Sequence, residues 1–201
     1  MGIVATDGSP TVYILMKGTF ESFALKLAPL AAAVANYCDH VEHNEIADRA
    51  WVLDAGAQLR ELACELSIGS GLSPVDLYAE RLGEIEARNV LAHSGGYDGH
   101  RVALEAQTWR DLQLVQADHD RHYHPDVVGM AKDQQLRHYA LHLAKAVGAF
   151  AEPREEQELL HRRLPDVLLF GIKLSTVMGV RLSDEGLPRA VVSVAALRVP
   201  S

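Results

Sequence analysis

Apolar residues recur at helical spacing along most of this chain. Over 45–67, at about 100° per residue, Trp51, Val52, Ala55, Leu59, Leu62, Ala63 and Leu66 share one stripe, and Asp54, Gln58, Glu61 and Glu65 lie on the opposite, solvated side. The same reading places helices at about 20–42, 45–67, 73–90, 101–120, 133–151 and 156–179. Breakers fall between them: Ile68-Gly-Ser-Gly71, Ser94-Gly-Gly-Tyr-Asp-Gly99, His124-Pro125, Pro153 and Gly186-Leu-Pro188. Ser73-Pro74 reads as an N-cap followed by proline at the first helical position. Only the ends look different, with short strand-like runs at 11–16 and 190–199. The expected fold is an all-α helical bundle of two packed halves, 1–94 and 100–201, or one compact domain built from both, with short strand-like termini. The glycine-rich stretch 94–99 reads as the link between halves. Helical hairpins of this length bury little apolar area alone, so a homo-oligomer is expected.

Composition narrows the partners. The chain has 201 residues, 48% of them hydrophobic, enough to close a core. Its net charge of −8 argues against a nucleic-acid polymer, whose binders work through cationic contacts to phosphates. Residues 1–100 hold 6 basic and 14 acidic side chains, against 13 of each in 101–201, so the excess acid belongs to the first half. Two cysteines, Cys38 and Cys64, lie in apolar helical patterns and read as buried thiols in a reducing cytoplasm. The longest apolar stretch, 22–38, is interrupted by Lys26 and Pro29 and is too short to span a bilayer, and the first residues lack a basic signal-peptide start.

Glu45-Ile-Ala-Asp48 is an E-x-x-D at the start of the 45–67 pattern. At i and i+3 on a helix both carboxylates share one face, here the apolar stripe, an arrangement suited to a hard cation such as Mg²⁺. In the alternative reading Asn44 caps the helix and both acids favour the positive end of its dipole. An internal echo accompanies the pair. Phe23-Ala-Leu-Lys-Leu-Ala28 matches Tyr139-Ala-Leu-His-Leu-Ala144, each is followed by a helix with an early aspartate, Asp48 and Asp166, and each of those helices ends at glycine and a polar turn. Two hairpins related by a pseudo-twofold axis would produce that spacing.

These segments resemble a known family. Glu45 to Leu53, Gly71 to Leu77 and Leu82 to Arg88 are similar to the third helix and following segment of MazG-like all-α nucleotide pyrophosphohydrolases, and Arg163 to Leu182 resembles the same element again. Leu141 to Glu152 resembles the family's second helix. The resemblance implies Mg²⁺-dependent release of pyrophosphate from a nucleoside triphosphate, with Glu45 and Asp48 as metal-holding, catalytic carboxylates and Asp166 as the aspartate of the later copy. The sequence departs from the family where the first acidic pair belongs: Ala146 and Ala149 stand there in the later copy, Leu30 and Ala33 in the earlier, and Arg163 replaces a glutamate with Pro165 in the same turn.

A second constellation is histidine-rich: Asp118-His-Asp-Arg-His-Tyr-His-Pro-Asp126, then His138 and His142 one helical turn apart beside Lys145. With Asp166, His138 and His142 would make a two-histidine, one-carboxylate site for a transition metal. His122, His124, Lys145 and Arg163 are candidate contacts to a nucleotide or another small phosphorylated ligand. The bland reading makes the histidines a polar helix flank and a solvated turn. Neither cysteine nor any serine sits in a nucleophile motif, and the glycine cluster lacks the lysine of a phosphate loop. Three functions follow: a Mg²⁺-dependent nucleoside triphosphate pyrophosphohydrolase, a catalytically silent nucleotide-binding or protein-interaction protein, and a histidine-dependent metalloenzyme.

Overall fold

A computed structural model describes the backbone of residues 10–88 and 96–188, and side chains from residue 18 onward within those ranges. The expected strand at 190–199 lies outside the described residues. The helices are α1 (Pro10–Glu42), α2 (Arg49–Gly69), α3 (Pro74–Arg88), α4 (Gly99–Glu105), α5 (Trp109–Tyr123), α6 (Pro125–Val128), α7 (Lys132–Ala151), α8 (Glu156–Glu158) and α9 (Leu164–Val177), with a π turn at Leu159–Arg163 joining the last two. Among the described residues the fold is all-α, with one isolated β-bridge between Thr108 and Gly186. None of these helices is long and apolar enough to cross a membrane.

Three expectations about local structure are corrected. Residues 11–16 are the first turns of α1, not a strand. A strand without a partner leaves its backbone groups unpaired, whereas helix satisfies them locally, and Pro10 suits the first helical position. The 101–120 pattern is two helices, because Thr108 and Asp111 form a capping box: the Thr108 hydroxyl accepts from the Asp111 N–H at 3.1 Å, and Asp111 Oδ2 accepts from the Thr108 N–H at 2.9 Å. Gly99 is no linker residue but the first of α4. A Cβ there would meet Glu86 Oε1 at 2.7 Å and His119 Cδ2 at 2.9 Å, so the backbone is packed against core side chains.

Helices from both parts of the chain share a single apolar core. α1 lies along α7, with Phe23 and Phe150 ring centroids 4.5 Å apart, and α2 lies along α9. The second crossing is tight. A Cβ on Gly171 would stand 2.9 Å from the Gly56 carbonyl oxygen and 2.8 Å from Arg60 Cγ, so glycine is what permits this approach. Arg60 Nη1 then donates to the carbonyls of Gly56 and Gly171 and to Ser175 Oγ, tying the helices where they touch. Arg49 Nη2 donates to the Met178 carbonyl at 2.7 Å, so the start of α2 lies against the end of α9 and the two run antiparallel.

α2 and α9 finish alike. Each hands over to a glycine of positive φ, Gly71 at 76° and Gly179 at 72°, the left-handed conformation of a helix C-terminal stop. In register from those glycines, buried positions coincide: Leu59 with Val167, Leu62 with Phe170, Cys64 with Ile172, Leu66 with Leu174. Ser67 and Ser175 coincide too, each donating to the carbonyl four residues earlier. In this register Asp166 lies opposite Gln58, not Asp48. Cys38 and Cys64 are buried and unpaired as expected, and burial pushes the Cys64 thiol up to about 12.

Candidate functional site: a histidine-lined cleft at the start of α9

Glu45 and Asp48 are not on a helix face. α2 begins at Arg49, so both carboxylates stand in the preceding turn, which enters it through Asn44 at φ 57°. Asp48 is the N-cap, its Oδ1 accepting from the Ala50 N–H at 2.8 Å, and Glu45 is exposed and faces His40 Nδ1 at 3.2 Å. The expectation of an inward-facing pair is therefore corrected: Asp48, rather than Asn44, caps the helix, and capping holds the pair outside it. Asp166 is also far away. Because the start of α2 meets Met178, Asp48 and Asp166 sit at opposite ends of α9, separated by about a dozen residues or roughly 18 Å of helix.

Around Asp166 the picture differs. Pro165 has no N–H for the His161 carbonyl, and the π turn at 159–163 absorbs that break, leaving Asp166 in the first turn of α9. There α3 crosses it. Arg81 Nε and Nη2 donate to Asp166 Oδ1 and Oδ2 at 2.7 and 3.3 Å, and Arg81 Nη1 donates to Glu84 at 2.8 Å. Both partners are mostly buried, at 11% and 18% exposure, so this bidentate pair is a structural clamp as well as a wall.

Beside the clamp a cleft of about 260 Å³ opens between α3, α6, α7 and α9. Its polar walls are His124, Asp126, His138, His142, Asp166, Arg81 and Lys173. His138 and His142 lie with ring centroids 4.6 Å apart, and His142 packs on Phe170 at 5.1 Å. Lys173 forms the floor, its Nζ 2.8 Å from Asp120 Oδ1. Burial is the first cause that lowers the affinity of His124 and His138 for protons, and the Lys173 ammonium is the second. His142 is pushed down to about 4 by burial, then by His138 and the two lysines, Lys145 and Lys173. Near neutral pH all three rings are uncharged, each offering one N–H donor and one acceptor.

Of the sequence candidates, His124, His138, His142 and Asp166 come together here. His122 does not: its Nδ1 lies 2.8 Å from the Asp118 carbonyl and its ring stacks on Tyr97 at 5.3 Å. Arg163 is spent on Glu158 at 2.9 Å, and Lys145 reaches the cleft by its charge and not as a wall. For the two-histidine, one-carboxylate metal reading, Asp166 is already held by Arg81, and among the described residues no three His, Cys, Asp or Glu side chains converge to hold an ion. Arg81 and Lys173 were missed in the sequence, and Asp126 stood in the histidine-rich constellation without an assigned role. Lys173 carried the clearest signal, as a single cation in the apolar run Val167–Leu174, where a buried charge requires a partner.

Another cavity, about 470 Å³ between α1 and α2, has Lys26 and Glu65 as its only charged walls among the described residues and lacks such convergence. No family model, curated protein or solved structure matches this chain.

Proposed function

We propose that this chain is a MazG-like pseudo-repeat protein that holds a small phosphorylated ligand, a nucleotide by that resemblance, in the histidine-lined cleft, and that it acts by binding. The observation that carries the reading is the composition of the cleft: one buried ammonium and three neutral imidazoles face a space in which Arg81 already engages both oxygens of Asp166. Imidazole N–H groups and an ammonium are donors to phosphate oxygens, and Asp126 on the same wall can accept from a hydroxyl of the ligand.

Two further features favour binding over carboxylate-held Mg²⁺ hydrolysis. Ala146 and Ala149, where the resemblance calls for the first acidic pair, are buried in the core at 5% and 4% exposure. Glu45 and Asp48, which match the second pair, lie in solvent at the other end of α9. The pseudo-repeat is supported by α1 packing on α7 and α2 on α9, and by the matched burial of their residues. Leu25 and Leu141, equivalent in the echoed segments, are both exposed, at 77% and 67%.

A panel of nucleoside mono-, di- and triphosphates, with and without Mg²⁺, tests the reading by thermal shift and by pyrophosphate detection. Stabilisation by at least one nucleotide, lost in His138→Asn/His142→Asn and unaccompanied by pyrophosphate release, is expected. Mg²⁺-dependent pyrophosphate release that disappears in Glu45→Ala would establish the hydrolase instead. Stoichiometric zinc, iron or manganese lost in His142→Ala would establish the metalloenzyme.

A further inference from the structure

Lys173 has a second face. Away from the histidine cleft, a separate cavity of about 320 Å³ opens between α5, α6, α7 and α9, and Lys173, Asp120 and Tyr139 lie along its wall. The buried groups beneath it form a fixed chain. The Tyr78 hydroxyl donates to Gln116 Oε1 at 2.7 Å, the Gln116 amide donates to Asp120 Oδ1 at 3.0 Å, and Lys173 Nζ meets the same oxygen at 2.8 Å. That contact uses one of three ammonium protons, and the ammonium lies 5.7 Å from the ring centroids of both Tyr139 and Phe170.

Two donors remain uncommitted. Lys173 is 7% exposed and Tyr139 4%, and among the described residues the Tyr139 hydroxyl makes no hydrogen bond, its oxygen not being sealed from solvent. At the mouth stand Arg121, paired with Asp118, and Lys132, which has no carboxylate partner among the described residues. Among the lining residues three cations thus face one carboxylate, Asp120, which Lys173 already compensates.

We propose that this cavity is a binding site for a small organic carboxylate, adjoining the cleft and sharing Lys173 with it. The two oxygens of a carboxylate match the two uncommitted donors, the Tyr139 hydroxyl and the Lys173 ammonium. A singly charged group is favoured over a dianionic phosphate because Asp120 sits in the floor and repels added charge. Lys132 and Arg121 attract the anion to the mouth and make binding weaken with salt. The volume, at the lower end for small-molecule sites, accommodates a small organic acid.

The test titrates the full chain at low ionic strength with acetate, butyrate and, separately, inorganic phosphate, read by calorimetry and by NMR of the Tyr139 and Thr176 side chains. Saturable carboxylate binding that shifts those signals is expected. Tyr139→Phe, which keeps the ring and its packing, should weaken it about fivefold, the value of one hydrogen bond. Lys132→Gln should flatten the salt dependence. No saturable carboxylate binding, equal affinity in Tyr139→Phe, or shifts confined to His124, His138 and His142 would overturn the proposal. The last outcome would still leave the cleft as a ligand site, so the two readings fail separately.

Discussion

At the start of α2, Asp48 stands in solvent and accepts from one backbone N–H. In the first turn of α9, Asp166 is covered by α3 and gripped by Arg81 through both oxygens. The sequence offers the same feature twice, an aspartate opening a long apolar helix, and what crosses over each one decides its use. Among the described residues nothing covers Asp48, so it caps. Over Asp166 the crossing of α3 brings an arginine, and the approach of α6 and α7 brings three histidines and leaves a cleft. Function follows the neighbours of a helix start, not the residue that opens it.

The largest expected effect lies at the covered end. Arg81→Met keeps most of the stem but strands a mostly buried carboxylate, and denaturant unfolding should show a loss of about 3 kcal/mol. A loss no larger than that of a surface ion pair, under about 1 kcal/mol, would mean that Asp166 is as solvated as Asp48. Next comes the helix crossing. Gly171→Ala should cost about 2 kcal/mol by overpacking against the Gly56 carbonyl and Arg60, and Gly56→Ala less, because its nearest contact is 3.2 Å. Equal and small effects would show that α2 and α9 do not approach this closely.

Protonation separates the two regions further. His119, fully buried behind the cleft, is pushed down to about 3 by burial first and then by Lys173. In the unfolded chain an ordinary histidine titrates near 6.5, so between about pH 6.5 and 3 the unfolded state binds a proton that the folded state does not. Stability therefore falls on acidification through that window, at up to about 1.4 kcal/mol per pH unit for this one group. In His119→Phe the slope should flatten by about that amount. An unchanged slope would refute the assignment.

The smallest effects belong to the open end. Asp48→Ala should cost about 1 kcal/mol and Asp48→Asn much less, as expected for a cap. Glu45→Ala should fall within about 0.5 kcal/mol in a thermal melt. A larger effect of Glu45→Ala than of Arg81→Met would reverse the comparison.

Much of the fold was legible because it is written in helical periodicity. Ser73-Pro74 started α3 as read, and the two positive-φ glycines end α2 and α9 where the polar turns were seen. Periodicity alone could not see the break at Thr108, which depends on a capping box with aspartate at the third position, nor could it place Glu45 and Asp48. A helical stripe projected a few residues too far upstream turned two loop carboxylates into an inward pair. The histidines of the cleft were legible as types and spacings. Their partners were not, since Arg81 and Lys173 come from helices remote in the chain and meet the histidines only through the packing of α3 and α7 on α9.

The most direct measurement follows histidine side-chain resonances while a nucleoside monophosphate is titrated into the full chain. The cleft account predicts saturable shifts of the His124, His138 and His142 rings, with His40 beside Glu45 unmoved. Saturable shifts of His40 that require Mg²⁺, with the three cleft rings silent, would place the ligand at the start of α2 and contradict it.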